Sequence, residues 1–417
     1  MFSLYDAVIV DDGRRHPLTA VGIAGDRIVA LGGDPGGAAV PLGGHLVLPG
    51  LVNGHDHLHL NVFPRTRRRR YDHSADWVAD MAAAIEAEPI SALRRLPRDA
   101  RAWHGALKNA IAGATTVVHH DPWLAVFDCP DFPVNVVRDI GWAHSLHLEG
   151  AYGPLWVESL AGTPPHRPWF IHLAEGTDAR ARAELEVLAR GGGLTARTRL
   201  VHAVGLAAAD TARAIAAGTG MVWCPASNRF LLGRAADVRP WAGAGRAALG
   251  TDARLTGSRD LLDELAMAAG TGACPAGALL EMVTTTGAGL CGRAEAGRIA
   301  AGGPADLVVL YDDGRAPAAQ LIGARRADLR LVIACGRPII ADHDLGGVFD
   351  AAGVACRPAR LDGRPKLIAT RAVQPLLEAG IAEPGLELDD PAPRGSRRRR
   401  IGGAVAARVT AGAPGAG

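Results

Sequence analysis

From about Leu46 to residue 300 the chain alternates short apolar runs with Ala-, Arg- and Glu-rich stretches of helical length, and nothing else in the sequence narrows the fold as much. The runs fall at 46–52, 115–119, 134–137, 141–146, 169–172, 199–202, 221–224 and 247–250, with helical stretches such as 74–88, 98–112, 179–190 and 210–217 between them. Strands separated by helices build a parallel sheet. Eight such strands predict a (β/α)8 TIM barrel, in which the chemistry sits at the C-terminal ends of the strands. The room between 134 and 169 is tight for a full strand–helix–strand repeat around 141–146.

Both ends of the chain read differently. Residues 1–50 hold short strands split by Asp-Gly and Gly-Gly turns, and strands return at 305–310, 329–333 and 338–340. The two strand-rich ends are expected to pair into one small β domain, a β-sandwich whose N-terminal portion is residues 1–50 and whose C-terminal portion is residues 301–390. Between them lies the barrel at 51–300, and after them a flexible tail at 391–417 that carries Arg397 to Arg400. The 417 residues are 48% hydrophobic with a net charge of +2, which makes no case for nucleic acid or membrane surfaces as partners. Six cysteines without a C-x-x-C pair suit reduced thiols. No apolar run approaches the roughly 18 to 20 residues of a membrane helix, and the first residues lack a signal-peptide pattern. A cytoplasmic, soluble protein with a small-molecule substrate is expected.

The stretch PGLVNGHDHLHL, residues 49–60, reads as a strand from His45 to Val52, a turn at Asn53-Gly54, and then His55, Asp56 and His57. Side chains at i and i+2 of an extended segment share a face, so His55 and His57 can aim two nitrogens at one point, as can His57 and His59. Later strand ends present His172 with Glu175 three residues on, His202, and Asp252. Singly, each has an ordinary reading: a capped core histidine, a rim ion pair, a helix N-cap. Together, in order and each at its own strand end, they suit a single borderline-soft divalent ion such as zinc, with iron or manganese binding similarly.

At this point the sequence resembles the amidohydrolase superfamily, in the branch of cytosine and guanine deaminases, S-adenosylhomocysteine deaminase and chlorotriazine hydrolases. The matching pieces are PGLVNGHDHL, TTVVHH at 115–120, HLAEG at 172–176, LVHAVGL at 200–206, CPASN at 224–228, LGTDA at 249–253 and GGPADLVVL at 302–310. The resemblance implies a distorted barrel, a β-sandwich built from both termini, and a homodimer. By motif, His55, His57, His172 and Asp252 would bind the metal, Glu175 would shuttle a proton and His202 would donate a hydrogen bond to the reacting group. The chemistry agrees: a divalent ion lowers the pKa of a bound water towards about 7, Asp252 can take its proton, and Glu175 with His202 can stabilise the charge that develops. The expected reaction is hydrolysis of a C–N bond, foremost deamination of an N-heterocycle with release of ammonia. Hydrolysis of an amide or cyclic amide, or loss of another group, is the alternative on the same barrel.

Only two lysines occur, Lys108 and Lys366, and neither ends a barrel strand, so the carboxylated lysine of two-metal sites has no candidate and one metal per chain is favoured. Glu149 is the residue that could bridge a second ion. His119, His120 and Asn228 are candidates to contact substrate, with one of the two histidines alternatively supporting the metal; the roles of His144 and His147 stay open. Arg65 and Arg67 to Arg70 read as a solvated loop or as a grip for an anionic group on the substrate.

Overall fold

The computed structural model describes residues 1–388 apart from Glu149; the Glu149 bridge and the tail at 391–417 lie outside the described residues. Parallel strands stand where the alternation places them, in two sheets. Leu51–Asp56, Ala114–His119 and Asn135–Val136 form one; Gly141–Ser145, Trp169–Leu173, Thr198–His202, Gly220–Trp223 and Ala247–Leu249 form the other, each strand beside its predecessor. Along each strand the residues alternate between two faces. Val52, Val118, Phe170, Val201, Val222 and Ala248 meet with Val137 in one cluster against which Trp142 packs, while Val117, Ile171, Leu200, Met221 and Leu249 join the main core.

The ladder does not close as an eight-stranded barrel would. On one side the strand at 135 is only two residues long, and the chain turns before Gly141 pairs onward. On the other, Leu51–Asp56 and Ala247–Leu249 abut without a ladder. A Cβ at Gly54 would stand 3.1 Å from the Leu249 carbonyl oxygen, and one at Gly250 would stand 2.8 Å from the His55 Cβ, so the missing side chains allow the approach. The Asp252 N–H to the His55 carbonyl, 3.1 Å, joins the two segments instead.

The expected first strand is divided. His45–Pro49 belongs to the terminal sheet and Leu51–Asp56 to the three-stranded parallel sheet. Gly50 is the break: a Cβ there would meet Thr115 Oγ1 at 2.1 Å. The Asn53-Gly54 turn is not formed either, because the Asn53 side chain is bound within the strand's buried surroundings, to Asn109, Thr251 and Asp56 at 2.9, 2.8 and 3.2 Å.

The two ends of the chain do pair, His45–Pro49 running antiparallel to Leu307–Tyr311 from Leu307 beside Pro49 to Tyr311 beside His45. Their hydrogen bonding makes one continuous 11-stranded sheet, because that pairing splices the N-terminal strands directly onto the C-terminal ones. No helix among the described residues is long and apolar enough to cross a membrane.

Candidate active site

The strand ends bring His55, His57 and His172 together, with one ring nitrogen of each within 4.8 Å of the others. The Nε2 atoms of His55 and His172 are 3.2 Å apart, and Asp252 Oδ1 lies 3.8 Å from His55 Nε2 and 3.7 Å from His57 Nε2. Three imidazoles and a carboxylate from three separated segments therefore face one point. The backbone is bent to achieve it: Ala174, His202, Ala203 and Asp252 all have φ between 52° and 74°, a left-handed conformation that costs non-glycine residues about 1–3 kcal/mol each.

The far nitrogen of each ring is held so that Nε2 keeps its lone pair. His57 Nδ1–H donates to Asp121 at 2.6 Å, and His172 Nδ1–H donates to the His144 carbonyl at 2.7 Å. His120 Nε2–H donates to the Ala143 carbonyl at 2.9 Å, which leaves its Nδ1 to accept from His55 Nδ1–H at 3.2 Å. Hydrogen-bonded partners of this kind fix the tautomer and orientation of metal-binding histidines. Burial works against a charge on His57, yet the Asp121 carboxylate outweighs it and raises the imidazole to about 9; an ion entering the site displaces that proton. The donor set, nitrogen and oxygen only, fits a divalent ion.

Asp252 Oδ2 accepts from Ser227 at 2.7 Å and Thr256 at 2.8 Å, and Oδ1 accepts from the Ala253 N–H at 2.7 Å. Burial favours its neutral form, but His57, His202 and these bonds hold the carboxylate ionised, with its pKa below the ordinary range. Glu175, 3.5 Å from His202 Nε2, goes the other way: burial, then the charge of Asp252, push it up to about 8. The Asn228 amide N–H donates to His202 Nδ1 at 2.8 Å, so the His202 proton sits on Nε2. His57, His172, Glu175, His202 and Asp252 all line one cavity of about 560 Å³.

Other expected contacts fall elsewhere. His119, His120 and Asn228 do not line this cavity: His120 and Asn228 stand behind His55 and His202, and the His119 ring packs on His59 and Phe127. His59 does not pair with His57 at the ion point, because it lies in a 3-10 turn that aims its ring at His119 and Asp121. Among the described residues His59, His119 and Asp121 could form a second cluster, but His119 Nδ1 accepts the Leu58 N–H at 3.2 Å, so Nε2 carries the proton and offers no lone pair. The same argument applies to His73, His147 and Glu184, where His73 Nδ1 accepts the Ala75 N–H at 3.1 Å. Two members of the arginine loop are occupied: Arg65 donates to the Thr256 and Ala226 carbonyls at 2.8 and 3.1 Å, and both Arg65 and Arg67 stack over Phe230.

Sequence reasoning passed over Asp121, Ser227, Thr256 and Glu184. Asp121 had a signal, an acid directly after the strand-end pair His119-His120; Ser227 lay inside CPASN. Lys108, rightly kept off the strand ends, proves to be a buried support: from helix Arg98–Ala110 its Nζ reaches Asp56 and Asn61, both at 3.0 Å.

Comparison with known proteins agrees with this geometry. The amidohydrolase family model matches residues 161–336. The 5-methylthioadenosine/S-adenosylhomocysteine deaminase of Halobacterium salinarum is 29% identical over 341 residues, covering 69% of this chain and 78% of the relative; that of Nitratidesulfovibrio vulgaris is 27% identical over 375 residues, covering 76% and 80%. Among solved structures, an adenosine deaminase from Xanthomonas campestris with bound zinc aligns with a TM-score of 0.63 at 19% identity, covering 84% of this chain and 97% of that one. Atrazine chlorohydrolase from Arthrobacter aurescens, complexed with zinc, aligns at 0.65 and 19%, covering 84% and 100%. The matched stretch, residues 161–336, has the sequence character of an amidohydrolase family domain.

Proposed function

We propose that the protein is a metal-dependent hydrolase of C–N bonds that deaminates an N-heterocyclic amine, with one zinc ion per chain held by His55, His57, His172 and Asp252. The observation that carries this reading is the set of locked tautomers: Asp121, His120 and the His144 carbonyl engage the outer nitrogens of the three rings, leaving three Nε2 atoms and Asp252 Oδ1 turned to one point. The ion, when bound, supplies the Lewis acid that activates water. Asp252 would act as the base towards the attacking water through the oxygen facing the imidazoles, its other oxygen being held by Ser227 and Thr256. The His202 Nε2–H donates to the charge that grows on the attacked ring. Glu175, protonated below about pH 8, delivers its proton to the departing amine.

The two parallel sheets are, in this reading, the halves of a distorted barrel at 51–300, a view supported by the single cluster that gathers side chains of successive strands. Residues 1–50 and 301–390 would form its β-sandwich, supported by their shared sheet. The six free cysteines support a cytoplasmic location, and the homodimer rests on the family resemblance.

Ammonia release from zinc-loaded protein, measured with adenosine, 5-methylthioadenosine, S-adenosylhomocysteine, other purines, pterins and pyrimidines, tests the reading. Turnover of at least one amine, lost on chelation and regained with zinc, is expected. Turnover only of atrazine or of amides would replace deamination by the alternative reaction.

A further inference from the structure

One wall of the same cavity comes from Arg94, Arg98 and Arg101, on helices Ile90–Arg94 and Arg98–Ala110. Arg98 and Arg101 are three residues apart and share a helix face. Arg94 pairs with Glu86 at 2.7 Å in the open. Arg98 has no ion pair or hydrogen bond among the described residues, and Arg101, although buried, has no carboxylate partner. Its Nη1 makes one long bond to the His59 carbonyl at 3.4 Å, its guanidinium lies 5.5 Å from the Phe63 ring centroid, and its buried Nε has no partner. The buried Nδ1 of His59, which lines the same cavity, is also without a hydrogen bond. Asp121, the acid of this region, is taken up by His57. Burial and then the neighbouring Arg98 and Arg94 push the Arg101 pKa down, so cations surround it.

A buried charge with no counter-ion is costly, and a guanidinium pair matches the oxygens of a carboxylate or phosphate. We propose that Arg98 and Arg101 form an anion subsite, gripping a carboxylate or phosphate on the substrate while its amine-bearing ring lies against Glu175 and His202. Apolar side chains of Phe63, Trp77, Met81 and Leu255 line the cavity as well. Its volume of about 560 Å³ falls within the roughly 300–1,000 Å³ of sites for drug-sized ligands, which suits a ring joined to a charged tail. The position of the ring rests on the deaminase reading; the subsite itself is read without turnover.

Calorimetric titration of the zinc-loaded protein with inorganic phosphate and, separately, with benzoate tests this. At least one anion is expected to bind, more weakly as salt rises, and about tenfold more weakly in both Arg98→Gln and Arg101→Gln. Arg95→Gln, whose side chain instead pairs with Glu88 at 3.2 Å, should bind as the parent does. A preference for phosphate would identify a phosphorylated substrate, and a preference for benzoate a carboxylate. If burial of position 101 prevents folding of its variant, the exposed Arg98 carries the test. No saturable binding of either anion, or equal affinity in the glutamine variants, overturns the proposal; the second result would put the anion on the metal. Anion binding that depends on Arg98 while no amine in the panel is turned over would keep the subsite and remove the deaminase reading.

Discussion

At the scale of single residues the site depends on which nitrogen of each histidine carries a proton, and that is decided one bond away from the reacting point. Asp121 is the clearest case. Asp121→Asn keeps the size and loses the charge beside His57, so zinc affinity, measured by competition with a chromogenic chelator, should fall about 10–100-fold. Glu175→Gln removes the proton carried up to about pH 8; kcat should drop by roughly 10²–10⁴ with zinc content unchanged. Because the protonated acid is the donor, the parent's kcat should decline as pH rises through about 8. These predictions also mark what the sequence made legible. Histidines and acids at strand ends could be read from spacing alone, since alternation and strand order place them. Which outer partner each would take could not: Asp121 and Ser227 stand in recognisable motifs, but they and the Ala143 and His144 carbonyls meet the site residues only through tertiary folding.

Individual elements hold those residues through their ends. The turn after strand Trp169–Leu173 carries Glu175, and Glu184 on helix Ala179–Arg190 fastens it: one oxygen accepts the Ala174 N–H at 2.6 Å, the other faces His73 Nε2 at 3.0 Å and His147 Nε2 at 2.9 Å. Glu184→Gln cannot accept all three donors. It should lower kcat about tenfold or more through Glu175 while zinc content and secondary structure stay constant, measured by steady-state kinetics beside metal analysis and circular dichroism. Behind the first strand, Lys108, Asp56, Asn53 and Thr251 tie Leu51–Asp56 to the segment bearing Asp252. Element type was legible from the alternation, but the boundary at Gly50 was not: an apolar run through His45 to Val52 gives no sign that Thr115 and Asp306 will crowd its glycine.

Across the whole molecule, the N- and C-terminal strands share one sheet, and a buried carboxylate ties its C-terminal part to the segments that carry the site. Glu383 lies 2.8 Å from His104 Nε2, 2.9 Å from Arg254 Nη2 and 2.6 Å from Arg326 Nη1, so it links the Lys108 helix, the segment after Asp252 and the C-terminal strands. Burial raises its pKa, but His104 and Arg254 overcome this and hold it far below the ordinary carboxylate range. A depressed carboxyl pKa contributes stability above the unfolded value of about 4.3, which is lost as pH falls towards the folded value. Glu383→Gln should therefore be less stable at pH 7 and lose less stability between about pH 5 and 3, as denaturant titrations across that range would measure. Pairing of the two ends was legible from their shared strand richness. Their merging into one sheet was not, since strand patterns specify faces and not neighbours.

The central claim is that His55, His57, His172 and Asp252 hold one catalytic ion. Metal content per chain, followed together with ammonia release while the ion is withdrawn by a chelator and returned as zinc, tests it most directly. The account predicts one ion per chain, activity that falls and recovers in proportion to it, and loss of both in His55→Ala and His172→Ala variants that stay folded. Full activity in protein free of metal, or full metal content in those variants, would contradict it.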